Sequence, residues 1–179
     1  MNMIKESDLK ILFTESQIKN SIEQLGNKLN NEYNNAELYL ICVLKGSVMF
    51  MVDLAKHLKM PVRMEFIRLS SYGSGFTSTG RVSAVDIALP DLNNKNVIII
   101  EDIIDTGHTA KFLIDFINLN FHAKTLKFCS LLDKKIKRLV NIDPDFFAFE
   151  IDDKFLVGYG LDYDGYYRNL PYIGYVEQE

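Results

Sequence analysis

The chain has 179 residues and a mass of 20.6 kDa, the length of one domain able to bury a full core. Hydrophobic residues make up 47% and charged residues 25%, which excludes a disordered chain, a collagen-like chain and an acidic tail protein. A net charge of −4 argues against a surface that coats duplex DNA or anionic lipid, while leaving room for a local basic pocket.

Cys42 and Cys129 sit inside the apolar runs LYLICV and LKFCSL, with no CxxC or Cys/His cluster, so both read as reduced core thiols. The longest apolar stretches fall far short of the roughly 18–20 residues that span a bilayer. The N-terminus MNMIKESDLK is charged and lacks the apolar centre of a secretory signal, so the expectation is a soluble cytoplasmic protein without membrane or nucleic-acid partners.

Within residues 15–30, Ile18, Ile22, Leu25 and Leu29 recur at steps of four, three and four, the stripe of an amphipathic helix. Residues 38–43 (LYLICV) form a short apolar run rich in strand formers. Leu44-Lys45-Gly46-Ser47 follows, and then residues 48–59, where Val48, Met51, Val52, Ala55 and Leu58 keep helical spacing. The pattern is strand, tight loop, helix. A second strand is expected over 62–69, with Arg63, Glu65 and Arg68 marking a less buried face.

Residues 70–83 (SSYGSGFTSTGRVS) carry three glycines and many hydroxyls. The stretch exceeds the usual connection of about 4–6 residues, which makes it either a functional lid or a disordered connector. Strand character resumes over 82–89 and Pro90-Asp91 closes it. Residues 96–100 (NVIII) are nearly all β-branched, as in a central parallel strand buried on both faces. Beyond Thr109 a helix is expected with Phe112, Leu113, Phe116, Ile117 and Leu119 on one face, followed by strands at 125–132 and 145–150. Alternating strands and helices predict an α/β fold with a mainly parallel central sheet flanked by helices. Ligands bind beyond the carboxyl ends of such strands, so the loops after Val43, Ile100 and Leu132 are expected to converge.

The string Glu101-Asp102-Ile103-Ile104-Asp105-Thr106-Gly107-His108-Thr109 carries the chemistry. Two adjacent carboxylates at a strand end need hydroxyls, a cation, or both, because an unpaired buried charge costs several kcal/mol. Asp105 to Thr109 offer a glycine turn, two hydroxyls and backbone N–H groups at a helix start, which suits a phosphate monoester. Without a GxxxxGK[ST] lysine the phosphate fits a sugar phosphate better than a nucleoside triphosphate. The plainer alternative is an ordinary helix start with Asp105 or Thr106 as N-cap.

Residues 97–109 resemble the phosphoribosyl pyrophosphate signature of the type I phosphoribosyltransferases, and the match over 38–168 narrows the resemblance to the hypoxanthine-guanine phosphoribosyltransferase family. The resemblance implies that family's fold in a single domain over 1–179, with a core over roughly 36–150 and a small hood built from the N-terminal segment and roughly 151–179. Leu44-Lys45-Gly46-Ser47 resembles the pyrophosphate loop, in which the Leu44-Lys45 type of peptide bond can be cis. Lys45, Gly46 and Arg168 would bind pyrophosphate. Glu101 and Asp102 would hold the ribose hydroxyls directly or through Mg2+, Asp105 would be the general base near N7, and Thr106, Gly107, His108 and Thr109 would hold the 5′-phosphate. His108 stands where the family often has lysine, which puts phosphate affinity in question.

Further along, Lys134 resembles the donor to the purine 6-oxo group, whereas alone it would read as one solvated charge in a basic run with Lys135, Lys137 and Arg138. Phe155, alternatively a core residue, would stack on the base. The Leu156 backbone would meet the base edge, and Asp162, near both base and pyrophosphate, would bind Mg2+. Ser71 and Tyr72 resemble the start of a mobile catalytic lid. The implied reaction is purine salvage with phosphoribosyl pyrophosphate, hypoxanthine and guanine as substrates and Mg2+ as cofactor, in a homodimer or homotetramer. A xanthine-preferring enzyme and a phosphoribosyltransferase-fold regulator that binds RNA are the competing readings.

Overall fold

A computed structural model describes residues 6–71 and 82–176. Strands β1 (Lys10–Phe13), β2 (Leu38–Leu44), β3 (Val62–Ser71), β4 (Val82–Asp86), β5 (Asn96–Ile104), β6 (Thr125–Asp133), β7 (Phe146–Glu150), β8 (Leu156–Val157) and β9 (Ile173–Tyr175) alternate with helices α1 (Glu15–Tyr33), α2 (Val48–His57) and α3 (His108–Asn120). The six-stranded sheet has the order β4-β3-β2-β5-β6-β7. Its β3-β2-β5-β6-β7 part is parallel and β4 runs antiparallel along β3. A three-stranded antiparallel sheet, β1-β9-β8, joins the terminal segments. This is the α/β architecture with a parallel centre that the alternating pattern predicts.

Local chemistry sets the helix ends. Thr14 and Gln17 form a reciprocal capping box at the start of α1, with Gln17 N donating to Thr14 Oγ1 at 3.3 Å and Thr14 N to Gln17 Oε1 at 2.9 Å. Asn30 of α1 then finishes α2, its amide donating to the His57 carbonyl at 2.9 Å and accepting from Lys59 N at 2.8 Å. The α1 stripe Ile18, Ile22, Leu25 and Leu29 is buried in one core layer with Phe50, Met51 and Leu54 of α2 and with Leu38, Leu40 and Cys42 of β2. Tyr39, Ile41 and Val43 of β2 point to the opposite layer, against Ala110, Leu113 and Ile117 of α3. Such alternation leaves β2 and β5 buried on both faces. Both cysteines are free and buried, as expected.

Four sequence expectations are corrected. Leu119 is 86% exposed, because it lies about 200° around the helix from buried Ile117 at 100° per residue. Val52 is partly exposed while Phe50 and Leu54 are buried, so the packed face of α2 is rotated from the expected stripe. Ser70 and Ser71 extend β3 and pair with Ser83 and Val82, and β4 ends at Asp86 rather than Leu89. The strand at 96–100 continues to Ile104, which places Glu101 and Asp102 within β5 instead of after it. The expected lid, including Tyr72, lies outside the described residues apart from strand ends such as Ser71. Among the described residues no helix is long and apolar enough to cross a membrane.

Gly26 lets α1 pack close to the end of α2: a Cβ there would stand 2.6 Å from His57 Cβ. Alanine is ordinarily the better helix former, yet Gly26→Ala is expected to lower stability in urea unfolding by about 1–3 kcal/mol through overpacking. An unchanged midpoint would mean that the two helices separate without loss.

Candidate active site

The chain order of the parallel strands reverses between β2 and β5, since β3 lies on one side of β2 while β5, β6 and β7 continue on the other. Backbones diverge at such a switch point and leave a crevice at the strands' carboxyl ends. The loop 44–47 after β2 and the segment 101–109 at the end of β5 both open there. The Leu44-Lys45 peptide is cis, Lys45 is exposed and Gly46 is buried. A Cβ on Gly46 would fall 1.6 Å from Asp102 Oδ2 and one on Gly160 would fall 2.0 Å from the Gly46 carbonyl oxygen. The 158–160 turn, Gly46 and Asp102 are therefore stacked in direct contact, with glycine required twice.

Burial opposes ionisation of both carboxylates. It pushes the Glu101 carboxyl well above its usual range, with the charge of Asp102 adding to the effect. Burial also raises Asp102, against the opposing pull of backbone hydrogen bonds and Arg168. Ile103 N donates to Asp102 Oδ1 at 3.0 Å. Asp162 faces the same group from the terminal segment, held by Arg168 at 2.6 Å and by Gly165 N at 2.7 Å. Among the described residues no three His, Cys, Asp or Glu side chains form a ready-made metal cage. The buried Glu101 and half-buried Asp102 are oxygen donors of the kind a hard divalent cation takes, with waters and substrate oxygens as its other ligands.

Beyond β5 the chain turns sharply into α3. Gly107 is the N-cap, in the left-handed region at φ 85°, and no side chain caps the helix. The N-cap is thus neither Asp105 nor Thr106, and among the described residues the first N–H groups of α3 meet no side-chain acceptor, as an anion cradle needs. Thr106, His108 and Thr109 are half-buried around this turn. Asp105 Oδ1 is buried without a hydrogen-bond partner.

The third loop follows β6. Lys134 is 7% exposed, its N–H donates to the Ile104 carbonyl at 3.0 Å and its Nζ pairs with Asp153 at 3.2 Å. It is no solvated surface charge. Lys137 also binds Asp153, at 3.0 Å, and the two lysines, Lys137 foremost, hold the Asp153 carboxyl below its ordinary range. Phe155 is 43% exposed, its ring edge-on to Tyr163 at 5.7 Å, so the core alternative for it fails. Leu156 is buried in β8, which pairs with β9 on one side and lies at the edge of the small sheet.

Several contributors escaped the sequence reading. Asp153 has no motif signal beyond its place before Phe155. Tyr159 donates to Asp53 Oδ2 at 2.6 Å and ties the 158–160 turn to α2. Arg138, expected in a solvated basic run, is largely buried, and its Nε donates to the Asp105 carbonyl at 3.0 Å.

This assembly of loops can be compared with known proteins. The chain matches the phosphoribosyl transferase domain family over residues 9–164. It is 40% identical over 177 residues to a hypoxanthine-guanine phosphoribosyltransferase of Streptococcus thermophilus, across 99% of this chain and 98% of that one. The chain belongs to the hypoxanthine-guanine phosphoribosyltransferase family. It is accordingly a phosphoribosyltransferase of purine salvage, with the type I fold. A crystal structure of the Staphylococcus aureus hypoxanthine phosphoribosyltransferase superposes with a TM-score of 0.91 at 39% identity, covering 99% of this chain and 96% of that one. A Trypanosoma cruzi hypoxanthine phosphoribosyl transferase, studied for the role of its C-terminal region in oligomeric state and activity, gives 0.89 at 38% identity, over 98% and 95% of the two chains.

A raised Glu101 pKa means that the folded chain holds this proton more tightly than the unfolded one. Stability is therefore lost as pH rises from the ordinary glutamate range towards the raised value. Glu101→Gln, which has no charge to bury, is expected to gain melting temperature relative to the parent as pH is taken from about 4 to about 8. Parallel melting curves across that range would show that burial does not oppose this charge.

Proposed function

We propose that the chain transfers the 5-phosphoribosyl group of phosphoribosyl pyrophosphate to N9 of hypoxanthine or guanine, giving inosine or guanosine monophosphate and pyrophosphate. The observation that carries this reading is the buried, unpartnered Asp105 Oδ1 at the switch point, between an uncapped helix start and the buried Lys134. An acceptor without a partner in a dry place is costly unless substrate completes it.

Each residue takes a role that its surroundings suit. The N–H groups of Thr106, Gly107, His108 and Thr109 receive the 5′-phosphate, with backbone rather than side chains carrying the contact. Glu101 and Asp102 accept from the ribose hydroxyls and hold Mg2+, joined by Asp162 on the pyrophosphate side. When bound, Mg2+ supplies charge neutralisation for the departing pyrophosphate. Lys45, Gly46 and Arg168 bind that pyrophosphate, and the exposed Lys45 is free to reach it. Asp105 takes the purine proton as the N9–C1′ bond forms.

Base selection falls to the third loop and the terminal sheet. Lys134 donates to the 6-oxo oxygen, whereas the amino group of adenine would leave that donor facing another donor. Phe155 offers an exposed ring for stacking and the open edge of β8 brings the Leu156 backbone to the base. In this reading β1, β8 and β9 form the hood over the purine, and Ser71 with Tyr72 begins a lid that excludes water from the oxocarbenium-like transition state. The setting is cytoplasmic. Self-association is proposed through the apolar residues that α2 and β3 leave exposed, Met49, Val52, Met64 and Phe66, and mass measurement in solution tests it.

Initial rates with phosphoribosyl pyrophosphate and Mg2+ against hypoxanthine, guanine, xanthine, adenine and uracil test the assignment. Turnover of hypoxanthine and guanine that vanishes with chelator is expected, and adenine should be rejected; xanthine as the preferred base would reassign the specificity. Asp105→Asn is expected to lower kcat by about 10²–10⁴-fold with little change in inosine monophosphate affinity. Undiminished turnover would remove Asp105 as the base.

A further inference from the structure

Residues 133–142 close over the turn that carries Asp105. Leu139 N and Val140 N both donate to the Thr106 carbonyl, at 3.0 and 3.3 Å. A Cβ on Gly107 would meet Val140, Arg138 and Ile142 within 2.7–2.9 Å. Through this contact runs one guanidinium. Arg138 is 11% exposed; its Nη2 pairs with Asp133 Oδ1 at 2.5 Å, its Nε donates to the Asp105 carbonyl at 3.0 Å, and its Nη1 reaches the Ile142 carbonyl and Asp143 Oδ1. Asp133 is fully buried. It sits opposite Ile104 in the β5–β6 register and directly precedes Lys134.

A buried ion pair is a poor means of stabilising a fold, since apolar residues of similar volume commonly do as well. What a guanidinium adds is direction: its planar fork fixes several acceptors at once in one geometry. Here those acceptors are the carboxylate beside Lys134 and the peptide oxygen of Asp105. We infer that the buried Arg138–Asp133 pair positions the Asp105 carboxylate, by locking the Asp105 peptide to the strand end that carries Lys134. Arg138 is thus a positioning residue, and the inference rests on the reading of Asp105 as the base. Proton acceptance depends on sub-ångström placement, so loss of the lock lowers turnover more than substrate binding.

The test separates placement from folding. Arg138→Met alone leaves the buried Asp133 carboxylate with only the partly exposed Lys135, at 4.0 Å, and is expected to lower the melting temperature. Asp133→Leu combined with Arg138→Met removes both charges and is expected to restore it. In that doubly substituted protein kcat for hypoxanthine should stay at least about tenfold below the parent while KM for hypoxanthine changes less than about threefold, because a placement effect is confined to the chemical step. Introduced into Asp105→Asn, the same two substitutions should change kcat by less than about twofold, since the two lesions remove one function. Parental turnover in the doubly substituted protein, or a full further loss in the Asp105→Asn background, overturns the inference while the base assignment stands. Parental turnover of Asp105→Asn itself overturns both.

Discussion

Glu101 and Asp102 follow one another on a strand covered on both faces, where burial opposes ionisation of each and, among the described residues, neither gains an ion pair from its own sheet. Much of the surrounding structure answers that constraint. The neighbouring loop meets Asp102 with Gly46, which has no side chain to collide with it. The positive charge of Arg168 approaches from the terminal segment and lowers the Asp102 carboxyl without a direct ion pair, being itself held by Asp162. A group that offers positive charge or hydrogen-bond donors to these carboxylates would offset the cost of burying them.

The two sides of the crevice are held by different segments. At the end of β5, β6 and residues 134–142 grip the Asp105–Gly107 turn through peptide hydrogen bonds and the Arg138 guanidinium. At the end of β2, the 158–160 turn leans on Gly46 and is anchored by Tyr159, at φ 47°, whose hydroxyl bonds to Asp53 of α2. Asp53 raises the Tyr159 hydroxyl further, adding to the effect of burial, so the phenol remains a donor. The 158–160 turn, which follows directly on β8 of the small terminal sheet, is thereby tied to the helix that follows the 45–47 loop.

Much of this was legible in one dimension. The Ile18, Ile22, Leu25 and Leu29 stripe marks α1, the NVIII run marks β5, and the string from Glu101 to Thr109 marks the end of β5 and the turn into α3, because each depends on neighbours only a few residues away. Failures occurred where the deciding partner is remote. Val52 and Leu119 fit helical stripes, yet which side of a stripe is covered depends on what packs there. Arg138 reads as surface charge until Asp133, Asp105 and Ile142 are folded around it. Ser70 and Ser71 look like loop residues by composition, and cross-strand pairing with β4 overrides that.

Sequence alone determined the α/β class and the order of the central strands and helices, since these follow from periodicity and local chemistry, and its resemblance to a known family singled out the acidic, basic and glycine residues of the crevice. Tertiary structure decided how those residues are made to act. Burial of Glu101, the stacking of Gly160 on Gly46 and of Gly46 on Asp102, and the hold of Asp153 on Lys134 and of Arg138 on Asp105 all depend on positions apart in the chain. Their strength is set by solvent exclusion and by distances of a few ångströms, quantities that exist only once the chain has folded.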